Sequence, residues 1–308
     1  MIFKRKKVVD RLKRYFLSKK GGRRIPYRGG SLLIKWFCGT SYARNKYFKK
    51  KSRIFKIFLK EIGIPENTVQ MEQEMLNVSF LKKWRLKVIS NLSDRKFTKY
   101  VHVNNLDILT ESHKKGKGVI LVSSHYGFSE MAISIFPRIG LTDVYTMVAS
   151  QGADSEKFND INPDIEAKKL VFDYLSDIEL FKVLMEAKHV LNDGGILHLL
   201  GDGYHGKSSM TFPFIGKLRG FRGSYAELAL STDAEIIPVF VYPDKYYHIS
   251  VDLYPPLDKG KEDQSREERT RHIVKQYVEH LTAKWSDSPQ FVNMGYMEKY
   301  LHHVDKDD

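Results

Sequence analysis

One cysteine is all the thiol chemistry that this 308-residue chain contains. Cys38 alone cannot form a disulfide within the chain or supply a cysteine-based zinc site, and so sparse a thiol content fits a reducing compartment. Long apolar runs are also missing. No stretch approaches the ~18 consecutive apolar residues that mark a conventional membrane-spanning helix. Segment 1–20 is basic but lacks the unbroken apolar stretch of a secretory signal. Acids are nearly absent from the first 60 positions, where Asp10 stands alone against 21 Lys and Arg. What remains is ordinary globular material, 42% hydrophobic and 29% charged, which excludes a disordered or collagen-like chain.

The net charge of +14 divides into +20 over residues 1–60 and −6 over the remainder. A basic arm therefore precedes a mildly acidic body. Nucleic acid, an anionic membrane surface or an acidic protein would each answer such an arm. Val8, Val9, Leu12, Tyr15, Phe16 and Leu17 alternate with Arg5, Lys7, Arg11, Lys13 and Arg14. Ile54, Phe55, Ile57, Phe58, Leu59 and Ile62 do the same with Arg53, Lys56 and Lys60. Cations on one side and large apolar residues on the other describe an interfacial helix, in which each cation near an anionic leaflet contributes about 1 kcal/mol; a solvated basic helix that packs its apolar face on the body is the alternative. No nucleic-acid-binding motif accompanies the charge, so no nucleic-acid partner is expected. The sequence predicts a peripheral protein on the cytoplasmic face of the inner membrane, without a transmembrane helix.

Residues 61–112 read as helical and connecting, with a breaker at Gly63-Ile64-Pro65. The character changes at Gly116. Val119–Ser124, Val144–Val148, Ile196–Leu200 and Ile236–Tyr242 are short apolar runs of the kind that fill buried parallel strands. Helical patterns at Ser129–Ile139, Ala167–Leu191 and Ser224–Leu230 alternate with them, which predicts an α/β fold with a mainly parallel central sheet flanked by helices. Tyr247–Tyr254 reads as a further strand and Glu262–Trp285 as a long helix. The expected division is a basic helical region, 1–84, and a main domain, 85–308.

In open α/β sheets, sites form where strands deliver their carboxyl ends. The first strand of the body ends in Ser123-Ser124-His125-Tyr126-Gly127-Phe128-Ser129-Glu130. A histidine there can act as a general base if a carboxylate holds its other ring nitrogen, and Glu130 is the candidate carboxylate. Gly127 permits the bend. Asp202 falls at the end of another strand, among Gly201 and Gly203, which allow close approach of a ligand. Phe212-Pro213-Phe214-Ile215-Gly216-Lys217 follows.

The order of these blocks resembles the lysophospholipid acyltransferase superfamily, and more closely its lipid A biosynthesis branch of lauroyl/myristoyl acyltransferases. The strand and His-x-x-x-x-Glu of 118–130, Asp202, the Phe-Pro-Phe segment 212–216, the Ala-to-Val strand 234–239 and Ser288-Pro289-Gln290-Phe291 carry the resemblance, over roughly 85–300. The chain departs from the branch at Ser129, where a Trp is usual, and at Gly203-Tyr204. A basic arm stands where the branch has a membrane-spanning helix.

The resemblance implies fatty acyl transfer from a thioester, on acyl carrier protein or coenzyme A, to the hydroxyl of a glycolipid of the lipid A type. A lysophospholipid or glycerol phosphate is the alternative acceptor. His125 would be the base and Glu130 its orienting partner, with neither metal nor other cofactor. Backbone N–H groups near Gly127 or Gly203 would face the oxyanion. Lys207, Lys217, Arg219 and Arg222 would meet an anionic head group or a carrier phosphate. Phe128, Met131, Ile135, Phe212 and Phe214 would line a trench for the acyl chain.

Overall fold

A computed structural model describes Tyr15 and residues 24–64, 69–89, 92–141, 143–150, 168–173, 176–203 and 209–303. The arm stretch around Val8–Leu17, Tyr15 apart, and Lys207 lie outside the described residues. At the centre is a seven-stranded sheet in the order β1-β9-β8-β2-β5-β3-β4. Its strands are β1 (Val101–Asn104), β2 (Val119–Ser123), β3 (Val144–Ala149), β4 (Lys168–Phe172), β5 (Ile196–Leu200), β8 (Glu235–Pro243) and β9 (Ile249–Leu253). All neighbours are parallel except β8 and β9. Every residue of β2 is buried, which explains its unbroken apolar sequence: both faces are covered, so no alternation is needed.

The helices are α1 (Tyr27–Gly39), α2 (Lys49–Glu61), α3 (Val69–Ile89), α4 (Asp94–Tyr100), α5 (Leu106–Lys114), α6 (Ala132–Arg138), α7 (Asp177–Asn192), α8 (Ser224–Thr232), α9 (Arg266–Asp287) and α10 (Met294–His303). Helix α9 begins at a capping box, with Ser265 and Glu268 each accepting from the other's backbone N–H. Its buried face carries Ile273, Tyr277, Leu281 and Trp285, at helical spacing. Outside the sheet, β6 (Ser209–Phe214) and β7 (Lys217–Arg222) form an antiparallel hairpin. Ile215 and Gly216 make its turn with φ of 52° and 75°, the left-handed pair that a two-residue hairpin loop requires.

Three expectations change. The stretch 167–191 is not one helix. Its start pairs with β3 as strand β4, and the helix begins only after Ser176, whose side chain accepts the Glu179 N–H. Within 61–112 lies the four-residue edge strand β1, too short to leave a periodicity. The apolar side of the Arg53–Ile62 stretch faces inward: Phe55, Phe58 and Leu59 are buried, and Phe58 meets Trp285 edge-on at 5.7 Å. Packing, rather than a membrane, accounts for that face. Trp84 and Arg85, both fully buried, lie within α3.

Candidate active site

Strands β2 and β5 are adjacent and in register, with Ser123 opposite Leu200. Two parallel strands that end side by side must deliver their following residues to one place. Gly201 donates its N–H to Ser123 O at 2.8 Å, and a Cβ there would come within 2.5 Å of Val122. Only glycine lets the two chains run on together, and it sets Asp202 against His125.

The contact is double. Asp202 Oδ2 accepts the backbone N–H of His125 at 2.8 Å, and Oδ1 accepts from ring Nδ1 at 2.8 Å. Asp202 is completely buried, while the His125 side chain keeps 21% of its surface. Burial opposes ionisation of Asp202, but His125 and the Arg219 guanidinium outweigh it and hold the carboxyl below its ordinary value. An ionised Asp202 requires Nδ1 to carry the proton. The lone pair of His125 is then on Nε2, the tautomer of a general base.

Further residues fix this pair. Arg219 lies buried among Phe214, Phe221 and Trp285 and donates to the Asp202 carbonyl at 2.9 Å. Tyr277 donates its hydroxyl to Ser123 O at 2.6 Å. The Tyr296 ring from α10 stacks on the imidazole, with centroids 3.5 Å apart and planes at 18°. The chain after Ser288 straps across the motif: Gly127 N–H donates to Phe291 O at 2.7 Å and Asn293 N–H to His125 O at 3.0 Å. Gly127 has φ of 55°, and a Cβ on it would stand 2.3 Å from Val241 O, so the bend and the close approach both demand glycine.

The expected site residues are only partly brought together. Glu130 does not hold the imidazole. It is drawn to Lys82 of α3 at 3.1 Å, because the 3-10 turn Ser129–Met131 intervenes between the loop and α6. Asp202, expected to face the ligand, holds the ring instead. Gly127 gives its N–H to Phe291 and so is not an oxyanion donor, and the Phe128 N–H goes to Val241 O at 2.6 Å. Phe214 and Arg219 are core residues beneath Asp202, not linings of a trench or head-group ligands. Phe128, Met131, Ile135 and Phe212 are likewise buried. Arg222 lies beside Gly203, whose carbonyl accepts the Arg222 N–H at 3.0 Å. Lys217 faces Glu61 at 3.7 Å. Burial pushes the Cys38 thiol up to about 12, which removes it as a nucleophile.

Sequence reasoning missed Tyr296, Tyr277 and Lys82. Tyr277 shares the inward face of α9 with Trp285, a signal that was readable. Tyr296 and Lys82 carry no local one.

An α/β sheet with an imidazole and an ionised carboxylate at neighbouring strand ends is the frame of a group-transfer or hydrolytic enzyme. Residues 61–286 match the family model of bacterial lipid A biosynthesis acyltransferases, and the chain belongs to that family. It is therefore an acyltransferase, with an acyl donor and a lipid acceptor as substrates. No curated protein matches the chain.

Proposed function

We propose that the protein moves a fatty acyl chain from a thioester to a hydroxyl of a glycolipid of the lipid A precursor type, with His125 as general base and Asp202 as the residue that orients it. The 2.8 Å bond between Nδ1 and a buried, ionised carboxylate carries this reading. Nε2 takes the proton of the acceptor hydroxyl as its oxygen attacks the thioester carbonyl. The tetrahedral intermediate collapses, the carbon–sulfur bond breaks, and the leaving thiolate receives that proton from the imidazolium. Ionised Asp202 stabilises the imidazolium between the two transfers. Glu130, paired with Lys82, ties the loop after His125 to α3.

Charge and exposure favour an anionic setting. On α1, Leu32, Leu33 and Trp36 are exposed beside exposed Arg28 and Lys35, the composition of an interfacial helix. Helix α1 reaches the β8–β9 turn through Tyr27 and Lys35, at the end of the sheet that also carries His125. Among the described residues, no helix is long and apolar enough to cross a membrane. On α2, Lys49, Arg53, Lys56 and Lys60 line a groove of about 390 Å³. Their spacing of four, three and four residues puts them on one face, suited to an acidic carrier protein.

A labelled acyl thioester offered with a lipid extract tests the reaction. Wild type adds one acyl chain to an acceptor lipid, read by mass spectrometry, and His125→Ala does not. Equal product from both would sink the mechanism. Product on lysophospholipid or glycerol phosphate alone would replace the acceptor. The membrane reading expects Leu32→Ser/Trp36→Ser to lose flotation on anionic vesicles. Deleting 1–60 is not a usable test, because it removes Phe55 and Phe58 from the core.

A further inference from the structure

Three residues outside the active site converge without a hydrogen bond between their side chains. His102 lies on β1, Asp244 follows β8, and His248 precedes β9. Strand β1 runs parallel to β9 with His102 opposite Ser250. His248 is two residues before Ser250, so alternation puts His102 and His248 on the same face of neighbouring strands. The tight turn between β8 and β9 returns Asp244 to His248, with the Asp244 N–H donating to His248 O at 2.9 Å. One donor atom from each of the three residues lies within 4.8 Å of the other two.

The spacing is wrong for hydrogen bonds and right for ligands of one ion. His248 Nδ1 stands 3.6 Å from Asp244 Oδ2, and His102 Nδ1 stands 4.0 Å from the same oxygen. His248 Nδ1 is buried and has no hydrogen-bond partner. The carboxylate is already oriented. Its Oδ1 accepts the N–H groups of Tyr246 and His248, both at 2.8 Å, which leaves Oδ2 turned to the imidazoles. Such outer bonds are how proteins fix metal ligands in place. His102 is about half exposed, which gives an ion a route from solvent.

We propose that His102, Asp244 and His248 bind a borderline transition-metal dication, of which Zn²⁺ is the type, and that the ion ties edge strand β1 to the β8–β9 turn. Two imidazole nitrogens and one carboxylate oxygen select such ions over Mg²⁺ and Ca²⁺, which need more oxygen ligands. Arg85, buried behind the turn and donating to Tyr247 O at 2.5 Å, offsets part of the Asp244 charge. That weakens a site that depends on charge more than one that depends on nitrogen coordination. Burial lowers the His248 pKa against the pull of Asp244, and His102, Arg28 and Arg85 lower it further, which favours the neutral imidazole that metal ligation needs.

Titration of the chelator-stripped full chain with CoCl₂, followed by visible absorption, tests the site. One equivalent of Co²⁺ giving d–d bands that ZnCl₂ bleaches is expected, together with a Zn²⁺-dependent rise in melting temperature. His102→Ala and Asp244→Asn each weaken binding by about tenfold or more, the loss expected when even the supporting shell of a metal is cut. His125→Ala leaves binding intact. Binding that survives both cluster variants, binding lost instead in His125→Ala, or no saturable binding by the wild type each overturns the proposal. Because His102 is half exposed, its alanine variant keeps the fold, and circular dichroism checks that it does.

Discussion

Two histidine–aspartate groups share one end of the central sheet, and the same residue types reach opposite arrangements. At His125 the carboxylate is sealed from solvent and bonded to Nδ1 at 2.8 Å, with the Arg219 charge beneath it. At His102 and His248 the carboxylate is about a quarter exposed, at 23%, satisfied by backbone N–H groups, and 3.6–4.0 Å from both rings. The first arrangement fixes a tautomer and leaves the Nε2 lone pair free of a proton. The second leaves lone pairs facing one point. The difference comes from the strands. Two parallel ends with a glycine at 201 press their next residues together, whereas a hairpin turn spends its aspartate on its own backbone.

That contrast can be broken by substitution. The largest effect belongs to the bonded pair. His125→Ala should cut turnover by at least about 10²–10⁴-fold, the usual contribution of a general base. Asp202→Asn should cost about 10⁴-fold, as removal of an orienting carboxylate does where the tautomer depends on it. Steady-state kinetics on the labelled acyl transfer reads both, and an Asp202→Asn enzyme with near-normal kcat would refute the orienting role.

Next comes a fourth histidine, which has no carboxylate partner among the described residues. His198 on β5 is buried, bonds Thr146 at 3.1 Å, and burial lowers its pKa to about 4. As pH falls from about 6.5 to about 4, the unfolded chain takes up a proton that the folded one refuses, so stability drops by about 3 kcal/mol across that window. Above it the contribution is fully retained. His198→Gln should flatten the fall in melting temperature between those pH values. An unchanged slope would mean that other groups cause it.

Glu130→Gln should lower kcat by less than about tenfold, since the Lys82 pair steadies a loop and touches no reacting atom. If it instead matches Asp202→Asn, the two carboxylates exchange roles in solution and the contrast with Asp202 fails. The smallest effect is expected from His102→Ala, which should leave metal-free acyl transfer unchanged.

Much of the architecture was legible. The runs at 119, 144, 196 and 236 became four of the sheet's strands because buried parallel strands need apolar residues on both faces. Strand β4 was not legible, because at the sheet edge only Leu170 of its five residues is buried and the apolar run Leu170-Val171-Phe172 is too short to mark a strand. His125 was found from its place after a strand. Its partner was sought five residues on, in Glu130, when it lay 77 residues away. Arg219 was read as a contact for an anionic head group or a carrier phosphate, although Phe212 stands opposite it and Phe221 shares its face in the hairpin.

The sequence alone settled the strands that carry unbroken apolar runs and which histidine would sit at a strand end, since both follow from local pattern and chain stiffness. Strand order decided the rest. By setting β5 beside β2 and β1 beside β9, the tertiary structure chose Asp202 over Glu130 for one imidazole and gathered Asp244 with two others. Proximity between residues far apart in sequence is a property of the packed sheet, which no local spacing contains.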